Sequence, residues 1–261
     1  MSHFKAPPKK NLGQHFLTDA GIIEHILHVL DPKPGDVLVE IGPGQGAITF
    51  PILKRHGSLT VIEFDRDLIT PLSEAAHGIG ELTIVHKDVL QVDFDRLAGG
   101  NSIRLIGNLP YNISTPILFH VLEHCHHVRD MHFMLQKEVV ERMAAGPGSK
   151  IYGRLSVMLQ AVCEVIPLFD VPPHCFNPPP KVNSAVVRLI PRAPGALGIR
   201  DSARFEAVVR DAFSQRRKTL RNALSKQCTA QQLQEAGIKP DARAEQIPVE
   251  DFIRLANSLH S

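Results

Sequence analysis

IRLIGNLPYNISTP, residues 103–116, is the stretch on which the reading of this chain turns. Apolar Ile103, Leu105 and Ile106 predict a strand that runs into Gly107 and then Asn108-Leu109-Pro110-Tyr111. A helix is expected from Ser114, whose hydroxyl can cap it. A strand ending in Asn-Leu-Pro-Tyr gathers a side-chain amide, main-chain carbonyls and an aromatic face around one point. Such groups suit a flat heteroaromatic ring bearing an amino group. Carbonyl oxygens accept from its N–H groups, and Tyr111 stacks on the ring. Pro110 fixes one backbone angle and drives Leu109 out of the helical region, so the turn is stiff. Four residues alone fit an ordinary strand-to-helix loop equally well.

The flanking sequence decides between these readings. Upstream, strand-like segments at 37–41, 59–64 and 82–85 alternate with helical patterns that run to about residue 54 and over 67–76. Before them, apolar Ile22, Ile23, Ile26, Leu27 and Leu30 line one face of a helix over 19–30. Downstream come a helix over 114–124, a strand at 131–135, helices over 136–145 and 154–162, and strands at 164–169 and 185–190. This alternation predicts an α/β domain with a mostly parallel, seven-stranded sheet covered on both faces. Ligands of such sheets bind outside the carboxyl ends of the strands. Gly42, Glu63, Asp88 and Asn108 all fall at those exits.

Residues 191–198, PRAPGALG, read as a linker, and the pattern beyond them is purely helical. Over 203–224, Phe205, Val208, Ala212, Phe213, Leu220 and Leu224 keep helical spacing. Between Arg210 and Lys226 the bases Arg210, Arg216, Arg217, Lys218, Arg221 and Lys226 stand against the single acid Asp211. The expected organisation is a basic tail over 1–10, an α/β domain over 11–191 and a small all-α domain over 192–261. The tail carries Lys5, Lys9 and Lys10 and no acid.

Composition narrows the class. Hydrophobic residues at 43% and charged residues at 21% describe a soluble globular chain of 261 residues. No apolar run approaches the roughly 18 residues of a membrane span, and the first residues lack the apolar core of a secretory signal. A cytoplasmic protein is expected. Cys125, Cys163, Cys175 and Cys228 form no CxxC pair, which fits reduced thiols.

Glu40-Ile41-Gly42-Pro43-Gly44-Gln45-Gly46 forms a Gly-rich turn between the first sheet strand and its helix. Glycines let the backbone approach a ligand, and a helix N-terminus favours electron-rich groups. No Gly-Lys-Ser/Thr follows, so this is not a P-loop. Gly42, Gly44 and Ala47 also satisfy the dinucleotide pattern GxGxxA. Glu63, about 20 residues on, stands where an acid binds ribose hydroxyls. The turn alone separates a nicotinamide cofactor from S-adenosylmethionine poorly, although Glu40 leans toward the methyl donor. Asp88 can accept from an adenine amino group, or serve only as a loop acid. His120, His124, His126, His127 and His132 suggest a metal site, but no Asp, Glu or Cys completes a coordination sphere, so no metal is expected. Phe176-Asn177-Pro178-Pro179-Pro180-Lys181-Val182 is a rigid segment that could hold Phe176 over the site as a second stacking face, or simply precede the last strand.

Several motifs in order now carry a resemblance. NLGQHFL, VEIGPGQGAIT, VIEFDRDL, GNLPYNISTPIL, MLQKEVVERM, YGRLSVMLQ, FNPPPKVNSAVVRL and QRRKTLRNAL together closely resemble the ribosomal RNA adenine dimethyltransferases, from Asn11 to the C-terminal helices. The related Erm resistance methylases share the Gly turn and GNLPY-like motifs. YGRLSV, FNPPPKV and QRRKTLRNAL resemble the small-subunit branch instead. The resemblance implies a Rossmann-like class I methyltransferase domain with a small helical domain. It also implies transfer of methyl groups from S-adenosylmethionine to N6 of two adjacent adenines near the 3′ end of 16S rRNA in the immature small ribosomal subunit. Carried over by position, the donor contacts are His15, Leu17, Gly42, Glu63, Asp88 and Asn108. His15 stands where some members have Asn.

Asn108, Leu109, Pro110, Tyr111 and Phe176 are then the expected catalytic set, with Asn108 and the Leu109 carbonyl holding the amine. Lys9, Lys10, Lys181, Arg216, Arg217, Lys218 and Arg221 are the expected RNA contacts. A monomer is expected, with no membrane partner. Three competing readings are a ribosome assembly factor that methylates only secondarily, a DNA adenine methyltransferase, and a nicotinamide dehydrogenase. The last leaves the Asn-Leu-Pro-Tyr turn without a role.

Overall fold

Alternating apolar strands and amphipathic helices assemble as the pattern predicts. The computed structural model describes residues 4, 6–9, 12–123, 127–193, 195–215 and 217–259. In chain order the elements are β1 (Phe16–Leu17), α1 (Ala20–Leu30), β2 (Val37–Ile41), α2 (Thr49–His56), β3 (Ser58–Glu63), α3 (Arg66–Ala76) and β4 (Glu81–His86). Next come α4 (Phe94–Ala98), β5 (Ile103–Asn108), α5 (Ser114–Glu123), β6 (Val128–Gln136), α6 (Lys137–Ala144), α7 (Arg154–Val162) and β7 (Cys163–Val171). The last are β8 (Phe176–Asn177), β9 (Ser184–Pro191), α8 (Ser202–Ala212), α9 (Leu220–Ala223), α10 (Ala230–Glu235) and α11 (Val249–Ser258).

Seven strands form one sheet in the order β4-β3-β2-β5-β6-β9-β7. β2, β3, β4, β5 and β6 pair in parallel, and β9 runs antiparallel to β6. Strand order reverses between β2 and β5, which is where a doubly wound sheet opens a crevice. β1 and β8 make a separate two-stranded ribbon, with Leu17 opposite Phe176. Two-residue strands carry no readable periodicity, so neither was expected from the sequence.

The chain forms two compact units, residues 1–140 with 167–191, and residues 141–166 with 192–261. The division differs from the boundary expected at the 191–198 linker, because the segment 141–166 clusters with the C-terminal helices. Tyr152 and Val157 belong to the apolar core of Phe205, Val208, Phe252 and Leu255. The fully buried Tyr152 donates its hydroxyl to the Ile247 carbonyl at 2.9 Å, which satisfies the polar tip inside that core. The first unit packs Leu38, Val61, Ile106 and Met134 of the sheet against Leu27, Phe50, Leu68 and Leu72 of the helices.

The helical pattern over 203–224 is not one helix. α8 stops at Ala212, where the Ser214 hydroxyl donates to the Asp211 carbonyl at 2.7 Å, and α9 begins after Thr219. Side-chain bonds of this kind offer the backbone an alternative to the next helical turn. Among the described residues, no helix is long and apolar enough to cross a membrane.

Candidate active site

Four strand exits and the segment before β1 surround a cavity of about 290 Å³ in the first unit. Its walls come from residues 12–17, 40–45, 62–64, 87–89 and 108–113. His15, Leu17, Gly42, Glu63, Asp88, Asn108, Leu109, Pro110 and Tyr111 therefore meet around one space, although they span 97 positions between His15 and Tyr111.

Glycine is needed where the two central strands end. A Cβ on Gly107 would lie 2.5 Å from the Ile41 carbonyl oxygen, so β5 can pass β2 only with no side chain there. Gly42 has φ +69°, and a Cβ on it would stand 3.8 Å from the Asn108 carbonyl oxygen, inside the mouth between the two strands. The Gly42 turn thus leaves room for a ligand against Asn108.

Glu63 closes β3 and is nearly buried, at 7% exposure. Its carboxylate accepts from the amide of Asp65 at 2.7 Å, and the amides of Gly44 and Phe64 bond to it as well. Burial still raises its pKa above the ordinary carboxylate value, with the amides pulling the other way. Glu40, at 2% exposure, accepts from the Thr49 hydroxyl at 2.6 Å. Burial pushes Glu40 up to about 8, the Thr49 bond pulls it back, and the charge of Glu63 adds to the rise. Asp88 lines the cavity while one oxygen caps the short turn Val89–Gln91 through the Leu90 amide at 3.0 Å.

The Asn-Leu-Pro-Tyr turn is held from several sides. The Asn108 side chain donates Nδ2–H to the His15 carbonyl at 3.0 Å. A carbonyl can only accept, so the amide must present its nitrogen there, and its Oδ1 is left as the acceptor end. The Leu109 amide donates to the Met134 carbonyl at 3.1 Å, and the Leu109 side chain is buried at 1% exposure. The Tyr111 hydroxyl lies 2.5 Å from Ser184 Oγ, and its ring stacks on His15 with centroids 5.7 Å apart and planes 23° apart. His15 is fixed in turn by a 2.8 Å bond between Nδ1 and the Pro178 carbonyl.

Two expectations are corrected. Phe176 does not line the cavity. It is 3% exposed and packs with Leu17 and Cys175 in the apolar core, because the β1–β8 pairing turns it inward. The aromatic beside Tyr111 is His15. Lys9 is not a free cation for phosphate: its ammonium lies 2.6 Å from Asp65 and 2.6 Å from Asp67. Among the described residues, no three His, Cys, Asp or Glu side chains are grouped so as to hold a metal. His120 bonds to the Val92 carbonyl at 2.8 Å, His127 to Asp95 at 2.9 Å, and His132 is buried on β6. His124, His126, Cys125, Lys10 and Arg216 lie outside the described residues. Lys181 is exposed in the first unit, and Arg217, Lys218 and Arg221 are exposed in the second.

Sequence reasoning missed Ser184, Thr49, Gln14 and Asp65, each of which acts by holding another side chain. It also missed Phe64, which lines the cavity beside Glu63 and is 59% exposed. An apolar residue at a strand exit, directly after the ribose-type acid, was the available signal.

Fold and site together define a Rossmann-like methyltransferase. The model of the family described as Ribosomal RNA adenine dimethylase matches residues 6–261, and this chain belongs to that family. Ribosomal RNA small subunit methyltransferase A of Xanthomonas campestris pv. campestris (strain B100) is 67% identical over 256 residues, covering 98% of each chain. The protein of the same name from Xanthomonas euvesicatoria pv. vesicatoria (strain 85-10) is 68% identical over 256 residues, again covering 98% of each. Among solved structures, a dimethyladenosine transferase from Plasmodium falciparum superposes with a TM-score of 0.80 at 26% identity, covering 92% of this chain and 96% of that one. The 23S rRNA methyltransferase ErmE superposes with a TM-score of 0.72 at 25% identity, covering 94% and 100%.

Proposed function

We propose that this chain uses S-adenosylmethionine to dimethylate N6 of two adjacent adenines near the 3′ end of 16S rRNA, acting on the immature small ribosomal subunit late in its biogenesis. The observation that carries the chemistry is the enforced orientation of Asn108, whose nitrogen is spent on the His15 carbonyl and whose oxygen is left to accept. An adenine amine is a poor nucleophile because its lone pair is delocalised into the ring. Asn108 Oδ1 and the Leu109 carbonyl accept its two N–H bonds and so localise the lone pair. Tyr111 supplies the stacking face.

The donor occupies the cavity beside this turn. The room left by Gly42, the carboxylates of Glu63 and Asp88, and the apolar side chains of Leu17 and Phe64 fit a molecule with ribose, base and apolar portions. When bound, the donor supplies a methyl group on a cationic sulfur. The N6–C bond forms as the S–C bond breaks, sulfur keeps the bonding pair, and N6 gives its surplus proton to solvent. Positioning and charge complementarity do most of the work, so the turn needs no strong base. The target base must leave its stack, at a cost of a few kcal/mol. The exposed bases Lys181, Arg217, Lys218 and Arg221 supply phosphate contacts.

The test is methyl transfer from labelled donor to unmethylated small subunits, with naked rRNA and duplex DNA as controls. Asn108→Ala should keep measurable donor binding and lose roughly 10²–10³-fold in turnover. Normal turnover in that variant would refute the role given to the amide.

A further inference from the structure

The segment before β1 forms one wall of the cavity, from Leu12 to Leu17. Its C-terminal end is anchored by the β1–β8 pairing and by the Thr18 amide, which donates to the Cys175 carbonyl at 2.8 Å. Its other end converges on Lys9. The Lys9 carbonyl accepts from the Leu12 amide at 3.1 Å, and the Lys9 amide donates to Gln14 Oε1 at 2.8 Å. Both side chains then reach the same carboxylate: Lys9 Nζ lies 2.6 Å from Asp65 Oδ1, and Gln14 Nε2 donates to Asp65 Oδ2 at 2.9 Å. Asp67 gives Lys9 a second partner at 2.6 Å.

Asp65 links this knot to the site. Its side chain is only 4% exposed, and it caps α3 by accepting from the Asp67 amide at 3.1 Å. Its own amide donates to Glu63 Oε1 at 2.7 Å. The contacts therefore run from the wall, through Lys9 and Gln14, to Asp65 and then to the acid that closes β3. Lys9 and Gln14 do the holding, and neither needs to reach the reacting atoms. Charge-assisted bonds are stronger than neutral ones, and because Lys9 is 35% and Asp67 74% exposed, salt can loosen this ion-paired end of the wall.

We propose that Lys9 and Asp65 are positioning residues, an ionic latch that holds residues 12–17 as a wall of the donor cavity and so sets how fast the methyl donor and its product exchange. The proposal rests on the reading of this cavity as the donor site. With the latch closed, the wall keeps Leu12, Gly13 and Gln14 at the cavity, while Leu17 stays on the β1–β8 anchor. With it open, the wall pivots on the β1–β8 anchor and the ligand leaves.

The experiment measures binding and release of S-adenosylhomocysteine by the full chain, as wild type, Lys9→Ala and Lys9→Arg, at low and high salt. The latch predicts that Lys9→Ala speeds release and weakens affinity by roughly five- to tenfold. Lys9→Arg should restore most of this loss. High salt should speed release from wild type and leave Lys9→Ala almost unchanged, a difference that a merely structural lysine would not produce. In turnover, the loss should fall on the KM for the donor and not on kcat. Equal release rates in wild type and Lys9→Ala would overturn the latch. So would unchanged donor binding accompanied by weaker RNA binding, which would return Lys9 to the phosphate contacts. A wild-type protein that binds no S-adenosylhomocysteine would instead overturn the donor reading of the cavity, and the latch with it.

Discussion

The Tyr111 hydroxyl and Ser184 Oγ lie 2.5 Å apart, and Ser184 is fully buried at the start of β9. Tyr111 sits three residues past the end of β5, and Ser184 lies opposite Gln136 on β6. The bond thus ties the free end of the stacking ring to the sheet. Pro110 stiffens the backbone end, so both ends of the ring are held. Removing either hydroxyl leaves the other buried and unsatisfied, which costs about 1–3 kcal/mol, whereas removing both removes the problem. Ser184→Ala and Tyr111→Phe should each lower kcat by roughly tenfold with donor affinity retained, and the double variant should be no worse than either. Additive losses in a double-mutant cycle would show that the two hydroxyls act separately.

Arg104 governs stability at the other end of the sheet. It is 5% exposed and grips Asp130 with Nε at 2.8 Å and Nη2 at 3.0 Å. Nη1 reaches Asp36 at 2.8 Å, and Nη2 donates to the Leu30 carbonyl at 2.7 Å, at the end of α1. One guanidinium thus joins β5, β6, the start of β2 and a helix C-terminus. Arg104→Met would strip two buried carboxylates of their main partner at a cost of about 3–5 kcal/mol. Arg104→Lys should recover little of this, because a point charge cannot span the same acceptors. Denaturant unfolding checks both variants, and a loss below about 1 kcal/mol for Arg104→Met would sink the argument.

Acid should find the same cluster through His132. Burial drives the His132 pKa down to about 4 from the ordinary 6.5; Asp130 opposes the fall, and Arg104 and Arg188 add to it. The folded state therefore resists a proton that the unfolded chain accepts below 6.5, and stability is lost as pH falls from 6.5 toward 4. Asp36 and Asp130 are held below the usual carboxylate range, so they add a second loss at lower pH, as each falls through its own folded value. His132→Leu should remove the first loss only. Its stability should gain on wild type by roughly 3 kcal/mol between pH 7 and 4. Parallel stability curves for the two proteins over that range would refute the assignment.

Glu40 gives the opposite slope. Its pKa is raised from 4.5 to about 8, so the folded state holds a proton that the unfolded chain releases, and stability falls as pH rises through that window. Glu40→Gln keeps an oxygen for the Thr49 hydroxyl and removes the ionisation. The variant should gain on wild type by roughly 3–5 kcal/mol between pH 5 and 8.5. A constant difference across that range would mean that Glu40 stays charged in the fold.

Much of this architecture is legible in the chain because it rests on local patterns. Apolar runs followed by Gly42, Glu63, Asp88 and Asn108 mark strand exits, and parallel strands must bring those exits to one edge of the sheet. What escapes the sequence depends on distant partners. Phe176 is an aromatic beside a proline run whether it faces a ligand or the core, and only its pairing with Leu17, 159 positions away, decides. Lys9 has the composition of a solvated tail, yet its partner Asp65 lies 56 residues on. Tyr152 and Val157 keep ordinary helix-and-turn spacing, and nothing local says that their core is the C-terminal one.

Salt dependence tests the proposed phosphate contacts. Arg217 and Lys218 are exposed beside α9, and Arg221 on α9 lies 3.8 Å from Asp241, too far for a tight pair. These charges are therefore available to phosphate at little cost in broken bonds. Each phosphate contact contributes roughly 0.7–0.9 to the slope of log affinity against log salt. Arg217→Gln with Arg221→Gln should therefore flatten the slope for small-subunit RNA by about 1.5 and weaken binding most at low salt. Donor affinity should not change, since neither residue lines the cavity. An unchanged slope would make these bases a solvated face and shift the search for phosphate contacts toward Lys181.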